Sequence, residues 1–323
     1  MLKAKNNFLS LVGGGVFCVA SLTGVAVSGQ NSADSVLPDN PLPAKTPQHA
    51  RERILVNKTD SVAPLISPSA ALENLKLHYA LRWNFGAKRQ RGWYLYVPLI
   101  QHTIGTESGA QTIEFACAVA VWQQKEGIYP TGVIDSETFS RLIELWQSRR
   151  LNSSVYAVPE ELLTAPIADF FDPTREIDLL KIEGETYKAY KRMVFAAANE
   201  LKLKTLKNGE LLPDEKFLRI VSAFRSREYQ NKLRAASPHS GRAGLAVNSP
   251  HFTGRTLDIY VGGEPTITKD LNRAAQVRTP VYRWLVKNAA RFGFYPYFYE
   301  PWHWEYVPQN SKPSGTNLLL IQK

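Results

Sequence analysis

Ser249-Pro-His251-Phe-Thr-Gly254-Arg-Thr-Leu-Asp258 and, further on, Glu300-Pro-Trp302-His303-Trp-Glu-Tyr306 are the stretches on which the reading of this chain turns. Between them they offer His251, Asp258 and His303 as metal ligands, with Glu300 one helical turn's worth of sequence before the second histidine. Three nitrogen and oxygen ligands with a fourth position left to water make a catalytic zinc, whereas structural zinc sites close with four ligands rich in cysteine. A carboxylate beside such a metal can take the proton from its water. The pattern therefore predicts zinc-dependent hydrolysis. Neither half decides this alone, because a single histidine is more often a surface or core residue than a ligand. Glu300-x-x-His303 could also be half of a di-iron site, but that chemistry needs two such motifs on facing helices. Only one occurs here, and Pro301 inside it argues against a helix interior. The spacing from His251 to Asp258 does not follow a helical face either; with Gly254 between them, a loop running into a strand at Leu257–Val261 fits better.

Taken together, these residues resemble the VanY-like D-alanyl-D-alanine carboxypeptidases, zinc peptidases of bacterial cell walls. That family's Ser-x-His-x-x-Gly-x-(Ala/Thr)-x-Asp pattern is met by Ser249 to Asp258, with Thr256 at the small position. Its Glu-x-Trp-His-x-x-Tyr pattern is met by Glu300, Trp302, His303 and Tyr306. A third element, a strand ending in an arginine-containing turn, corresponds to Ile220-Val-Ser-Ala-Phe224-Arg225-Ser226, followed by Gln230. Ala223 stands where the family usually has glycine, which costs backbone freedom but no chemical group. The resemblance spans roughly residues 175 to 310.

It implies an α+β zinc peptidase domain over 170–310, an antiparallel sheet flanked by helices, in which His251, Asp258 and His303 hold Zn2+. Glu300 would be general base and then acid. Arg225, helped by Gln230 and Ser249, would bind the free carboxylate of a peptide end, a task suited to the planar guanidinium fork. Tyr306 would line the cleft. The implied reaction is hydrolysis of the terminal D-alanine of peptidoglycan stem peptides. Alternatives with the same zinc site are an L,D-carboxypeptidase or a peptidoglycan endopeptidase, and one of another class is a non-catalytic wall-binding protein with a structural zinc. Plainer roles for Arg225 (a turn residue) and for Gln230 and Ser249 (helix surface, loop cap) stand beside these.

The start of the chain reads as an export signal over residues 1–29: Lys3 and Lys5, an apolar run from Phe8 to Val27, then Ala26-Val27-Ser28 at a cleavage point. The run through 8–27 is also long enough for an uncleaved membrane anchor. The expected location is accordingly the periplasm or cell envelope. Residues 30–69, rich in Pro, Ser, Asn and Asp, are expected to be a disordered linker, and 311–323 a C-terminal tail. With Cys18 in the leader, Cys117 is left alone, so no disulfide is expected and a small buried hydrophobe is the simplest role for it. The formal net charge of +10 suggests attraction to acidic wall or membrane surfaces. Nucleic acid is not expected as a partner, because no basic stripe with interleaved aromatics occurs; Lys88-Arg-Gln-Arg91 reads equally well as a solvated surface.

Residues 70–155 are expected to form a small helical module. A helix is predicted from Ala70 to Phe85, with Leu72, Leu75 and Tyr79 on one side. Phe115 to Gln123 is predicted helical and Gly127 to Asp135 a glycine-broken turn; Ser136 reads as a helix cap, with an amphipathic helix continuing from Thr138 through Trp146. This succession resembles a peptidoglycan-binding domain, whose front part is poorly matched in Gly92–Thr106. Trp122, Val133, Phe139 and Leu142 are expected in the core, and Tyr129, Thr131 and Asp135 are the nominees for ligand contact. Further on, helices are predicted over Glu176–Leu203 and Val281–Phe292, the latter stopped by Gly293, with strands at 217–224, 257–261, 294–298 and 303–307. His239 sits in a Pro-Ser-Gly-rich loop and reads as a loop histidine or a lid residue.

Overall fold

The computed structural model describes residues 66–86, 88–151, 155–236 and 247–308; the predicted leader, most of the linker, His239 and the tail lie outside them. Among the described residues no helix is long and apolar enough to cross a membrane.

Helix α1 (Pro68–Ala80) begins with Ser67 as N-cap and proline in the first turn. It ends earlier than the predicted Phe85. The amides of Gly92 and Trp93 bond the carbonyls of Leu81 and His78 at 2.7 and 3.0 Å, taking up acceptors at the helix end. Residues 82–85 instead form strand β1 (Arg82–Phe85), paired with β2 (Lys88–Arg91) in an antiparallel hairpin. Trp83 and Phe85 alternate with Arg82 and Asn84, the period of a strand, which the helical reading overlooked. Gly92 makes the close approach feasible: its φ is +70°, and a Cβ there would lie 2.5 Å from the His78 carbonyl oxygen. Leu72, Leu75 and Tyr79 form the solvent side of α1, while Ala70, Ala71 and Asn74 are buried.

Helices α2 (Val97–Ile104), α3 (Ile113–Lys125) and α4 (Ser136–Ser148) follow. The side chains of Thr112 and Asp135 cap the latter two, accepting from the amides of Phe115 and Thr138; the cap of α4 is thus Asp135 and not the expected Ser136, which is its first helical residue. Trp122, Phe139 and Leu142 are in the core as expected. Val133 is only half-buried, its place inside being taken by Ile134, and Cys117 is likewise half-buried.

Strand β3 (Leu162–Thr164) pairs with β4 (Lys181–Glu183), which leads directly into α5 (Gly184–Leu201). The predicted helix start at Glu176 is therefore wrong. Residues 177–179 are a 3-10 turn, 181–183 are bound to β3, and the Glu183 carboxylate caps the helix through Thr186 N at 2.7 Å. Tyr190, Met193, Val194 and Ala197 form the buried face of α5.

The main sheet consists of β5 (Ile220–Ser222), β6 (Thr256–Ile259), β7 (Phe294–Pro296) and β8 (His303–Tyr306), in the order β5-β6-β8-β7, all antiparallel. Each strand lies within its predicted span or within one residue of it, but is shorter. Helices α6 (Arg227–Ala236), α7 (Asp270–Val277) and α8 (Pro280–Asn288) accompany it, and α8 runs through a 3-10 turn to Gly293, φ +86°. An aromatic cluster ties the N-terminal helices to the loop before β8. Phe298 lies 5.5 Å from Tyr96, 6.0 Å from Trp146 and 4.9 Å from Phe85, and Tyr299 lies 5.0 Å from Phe85. Such ring contacts contribute beyond the area they bury, and here they fix the segment that carries Glu300.

Candidate metal centre

Asp258 on β6 and His303 at the head of β8 are directly paired across the sheet, so their side chains project from one face. His251 reaches the same point from a 3-10 turn (Pro250–Thr253) that Ser249 caps, its Oγ accepting from His251 N at 3.3 Å. The turn closes at Gly254 with φ +66°, and a Cβ there would meet Leu162 Cδ2 at 2.7 Å. A larger residue would strain the backbone and push apart the two halves of the motif. His251, Asp258 and His303 each place one donor atom within 4.8 Å of the others, and all three are buried. Asp258 Oδ1 lies 3.3 Å from His251 Nε2 and 3.1 Å from His303 Nδ1. Glu300 Oε2 stands 3.8 Å from the same His303 nitrogen.

The remaining ring nitrogens show which atom each histidine presents. His251 Nδ1 donates to the Ala223 carbonyl at 2.7 Å, leaving Nε2 for the cluster. His303 Nε2 contacts Glu305 Oε1 at 3.1 Å, leaving Nδ1. Histidine ligands of metals characteristically donate their outer N–H to a carbonyl or carboxylate in this way, which sets tautomer and ring plane. Two imidazoles so oriented, one carboxylate and no thiolate form a donor set that fits zinc with an open position.

Burial, seconded by the charge of Arg225, pushes His251 down to about 4, so it is a neutral imidazole at ordinary pH. Burial works to raise Asp258, but the charges of His251 and Arg225 and two histidine hydrogen bonds hold it well below the usual carboxylate range. For His303 burial acts downward, and is outweighed by hydrogen bonds to Asp258 and Glu305 and the charges of both, which raise it to about 9. A proton on this ring thus stands in the place of a cation. Glu300 is raised to about 7, chiefly by burial, against the pull of His303 and Arg225. A carboxyl group poised near neutrality is suited to accept and return a proton.

Arg225 follows β5, and its guanidinium is engaged with the centre itself: Nη2 to Asp258 Oδ2 at 2.6 Å and Nε to Ser222 Oγ at 2.9 Å. Gln230 is buried on α6, and Ser249 serves as the cap already described. Tyr306 is not brought to the cluster. By strand alternation it falls with Trp304 on the sheet face opposite His303, where its ring packs 5.4 Å from Phe294, its cross-strand partner. Sequence reasoning missed Glu305, which is fully buried and on the His303 face. The signal was there: in a strand, the residue two positions after a ligand shares its face.

Residues 180–309 match the family described as VanY, D-alanyl-D-alanine carboxypeptidase. No curated protein matches the chain. Among solved structures, one similar protein is the LdcB LD-carboxypeptidase, described in connection with peptidoglycan recognition. It is 24% identical with a TM-score of 0.33, over 49% of this chain and 72% of that one. Another is a mutant of the vancomycin-resistance D,D-pentapeptidase VanY from the VanB-type resistance cassette, in complex with Zn(II). It is 21% identical with a TM-score of 0.29, over 50% of this chain and 88% of that one.

Proposed function

We propose, from the match of residues 180–309 to the VanY D-alanyl-D-alanine carboxypeptidase family, that this chain is a zinc-dependent D,D-carboxypeptidase that trims the terminal D-alanine from peptidoglycan stem peptides in the cell envelope. One observation carries the reading: a buried carboxyl group, Glu300, stands 3.8 Å from the inward nitrogen of His303, within a cluster of three ligands suited to zinc. A structural site would have no use for a second acidic group raised to about 7.

His251 Nε2, Asp258 and His303 Nδ1 would hold the metal. When bound, zinc supplies Lewis-acid activation of a water molecule and of the scissile carbonyl. Glu300 takes one proton from the attacking water as its oxygen bonds to the carbonyl carbon of the penultimate residue. As the C–N bond breaks, Glu300 returns that proton to the departing amine of D-alanine, so one water is consumed and one acid and one amine are formed. Arg225, while gripping Asp258 with Nη2, offers its other terminal nitrogen to the free carboxylate of the substrate, with Gln230 and Ser249 close along the same segments.

The commitment of Arg225 to Asp258 favours one second reading, an endopeptidase that cuts a cross-link and senses no chain end. Incubation of the purified protein with defined pentapeptide, tetrapeptide and cross-linked muropeptides separates the two. Alanine released from the pentapeptide alone is expected. Release only from the tetrapeptide indicates L,D specificity, cleavage of the cross-link indicates the endopeptidase, and no turnover of any substrate leaves a zinc-bearing wall-binding protein.

A further inference from the structure

The matched family segment begins at residue 180, yet the innermost carboxylate behind His303 is held from outside it. Arg150, just past the end of α4, donates from Nη2 and Nε to Glu305 Oε1 at 2.6 and 3.0 Å. The next amide, Leu151 N, donates to Glu305 Oε2 at 2.9 Å. Glu305 Oε1 is the same atom that meets His303 Nε2. A second path runs beside the first: the Arg150 guanidinium lies 4.1 Å over the Tyr297 ring, which stands nearly perpendicular to the His303 ring at 5.6 Å.

The position of Arg150 is itself set by packing. Phe139, Leu142 and Trp146 form the buried face of α4, and Trp146 and Phe139 join the aromatic cluster around Phe298. The last turn of that helix therefore ends beside Glu305, which is buried with no exposure on the interior strand β8. A carboxylate so placed needs a charged partner; Arg150 supplies it at Oε1, and the Leu151 amide on Oε2 holds the second oxygen, so that charge and plane are both fixed.

We propose that Arg150 and Glu305 are positioning residues for the metal centre, through which the helical N-terminal module completes the ligand sphere of His303. Arg150 and Leu151 N orient Glu305, and Glu305 accepts the Nε2 proton and thereby holds Nδ1 toward the metal. The peptidase segment alone would lack the upper half of this relay. The proposal rests on the zinc reading given above, and it assigns the module a part in the site distinct from any binding of wall polymer.

The test is zinc affinity of the full chain, measured by competition with a chromogenic chelator, together with the visible absorption of the Co2+-substituted protein. Arg150→Met keeps an unbranched side chain of similar length, which limits loss of packing, and removes the guanidinium with both its donors to Glu305 and its contact with Tyr297. It is expected to weaken zinc about tenfold, the lower end for partners behind a ligand, and to shift the Co2+ bands. Glu305→Gln is expected to weaken zinc between about tenfold and a hundredfold. Arg150→Lys should recover at least half of the loss on a logarithmic scale, and Arg149→Ala, at the exposed neighbouring position, should change nothing. Unaltered affinity and Co2+ spectrum in Arg150→Met overturn the proposal, even if melting falls, since that pattern means the pair only neutralises a buried charge. A wild-type chain that binds no zinc overturns the underlying site reading and the proposal with it, so the two failures are told apart.

Discussion

Two regions of this molecule bury polar side chains, and they do so to opposite ends. In the helical module, Gln123 spends its amide on a loop: the two Nε2 hydrogens are shared among Thr131 Oγ1, the Val133 carbonyl and Thr138 Oγ1, all within 3.1 Å, and Oε1 accepts from Gly132 N. Asn74 does the same from α1, bonding the Gly132 carbonyl and Ile134 N, both at 2.8 Å. Donors and acceptors are neutral and matched, which is how a buried polar network specifies a fold. At the sheet, the buried acids stand among histidines and guanidinium groups: Asp258 pairs with Arg225 and Glu305 with Arg150, while Glu300, among the described residues, has no guanidinium of its own and faces His303. The first arrangement is neutral throughout; the second is built from charged and titratable groups.

The largest expected effect breaks the second region without touching the first. Glu300→Gln should keep zinc content and fold while slowing peptide hydrolysis by at least about a hundredfold, as measured by alanine release. Wild-type turnover in that variant would remove Glu300 from the mechanism. The pH dependence of zinc binding sharpens the same contrast. The metal needs His303 neutral, and its ring holds a proton up to about 9. Below that value binding must expel the proton, so affinity should rise by up to about tenfold per unit between pH 7 and 9 and level off above, with proton release measurable by calorimetry in two buffers. A flat profile would mean that His303 Nδ1 does not bind the metal.

In the module, Gln123→Ala leaves several buried groups without partners and should cost about 2–3 kcal/mol of stability by denaturant unfolding, with zinc affinity unchanged. A shift in zinc affinity would show that the loop is not purely structural. Thr131→Val, which removes a single hydroxyl from that loop, should cost about 1 kcal/mol and likewise leave the metal alone.

This contrast also marks what the sequence could tell. That His251, Asp258, His303 and Glu300 come together was legible in the sequence, because metal chemistry restricts residue type and order. Thr131 and Asp135 were nominated for ligand contact because exposed loops often carry function. In the structure their oxygens bond Gln123 and cap α4, while Tyr129 is left 82% exposed. Helix boundaries failed where tertiary pairing overrode periodicity, at Arg82–Phe85 and at Lys181–Glu183, both drawn into hairpins. The contact of Arg150 with Glu305 could not have been found from sequence, because it depends on the end of α4 meeting a strand 155 residues along the chain. Glu305 could have been found from strand parity, and the same parity would have set Tyr306 aside.

The most direct measurement is a crystal structure of the zinc-loaded protein with anomalous diffraction collected at the zinc edge. The account predicts one peak at about 2.0–2.2 Å from His251 Nε2, His303 Nδ1 and an Asp258 oxygen, with Glu300 beside it and outside the coordination sphere. A peak elsewhere, or one bound through His303 Nε2 with Glu305 displaced, would contradict it.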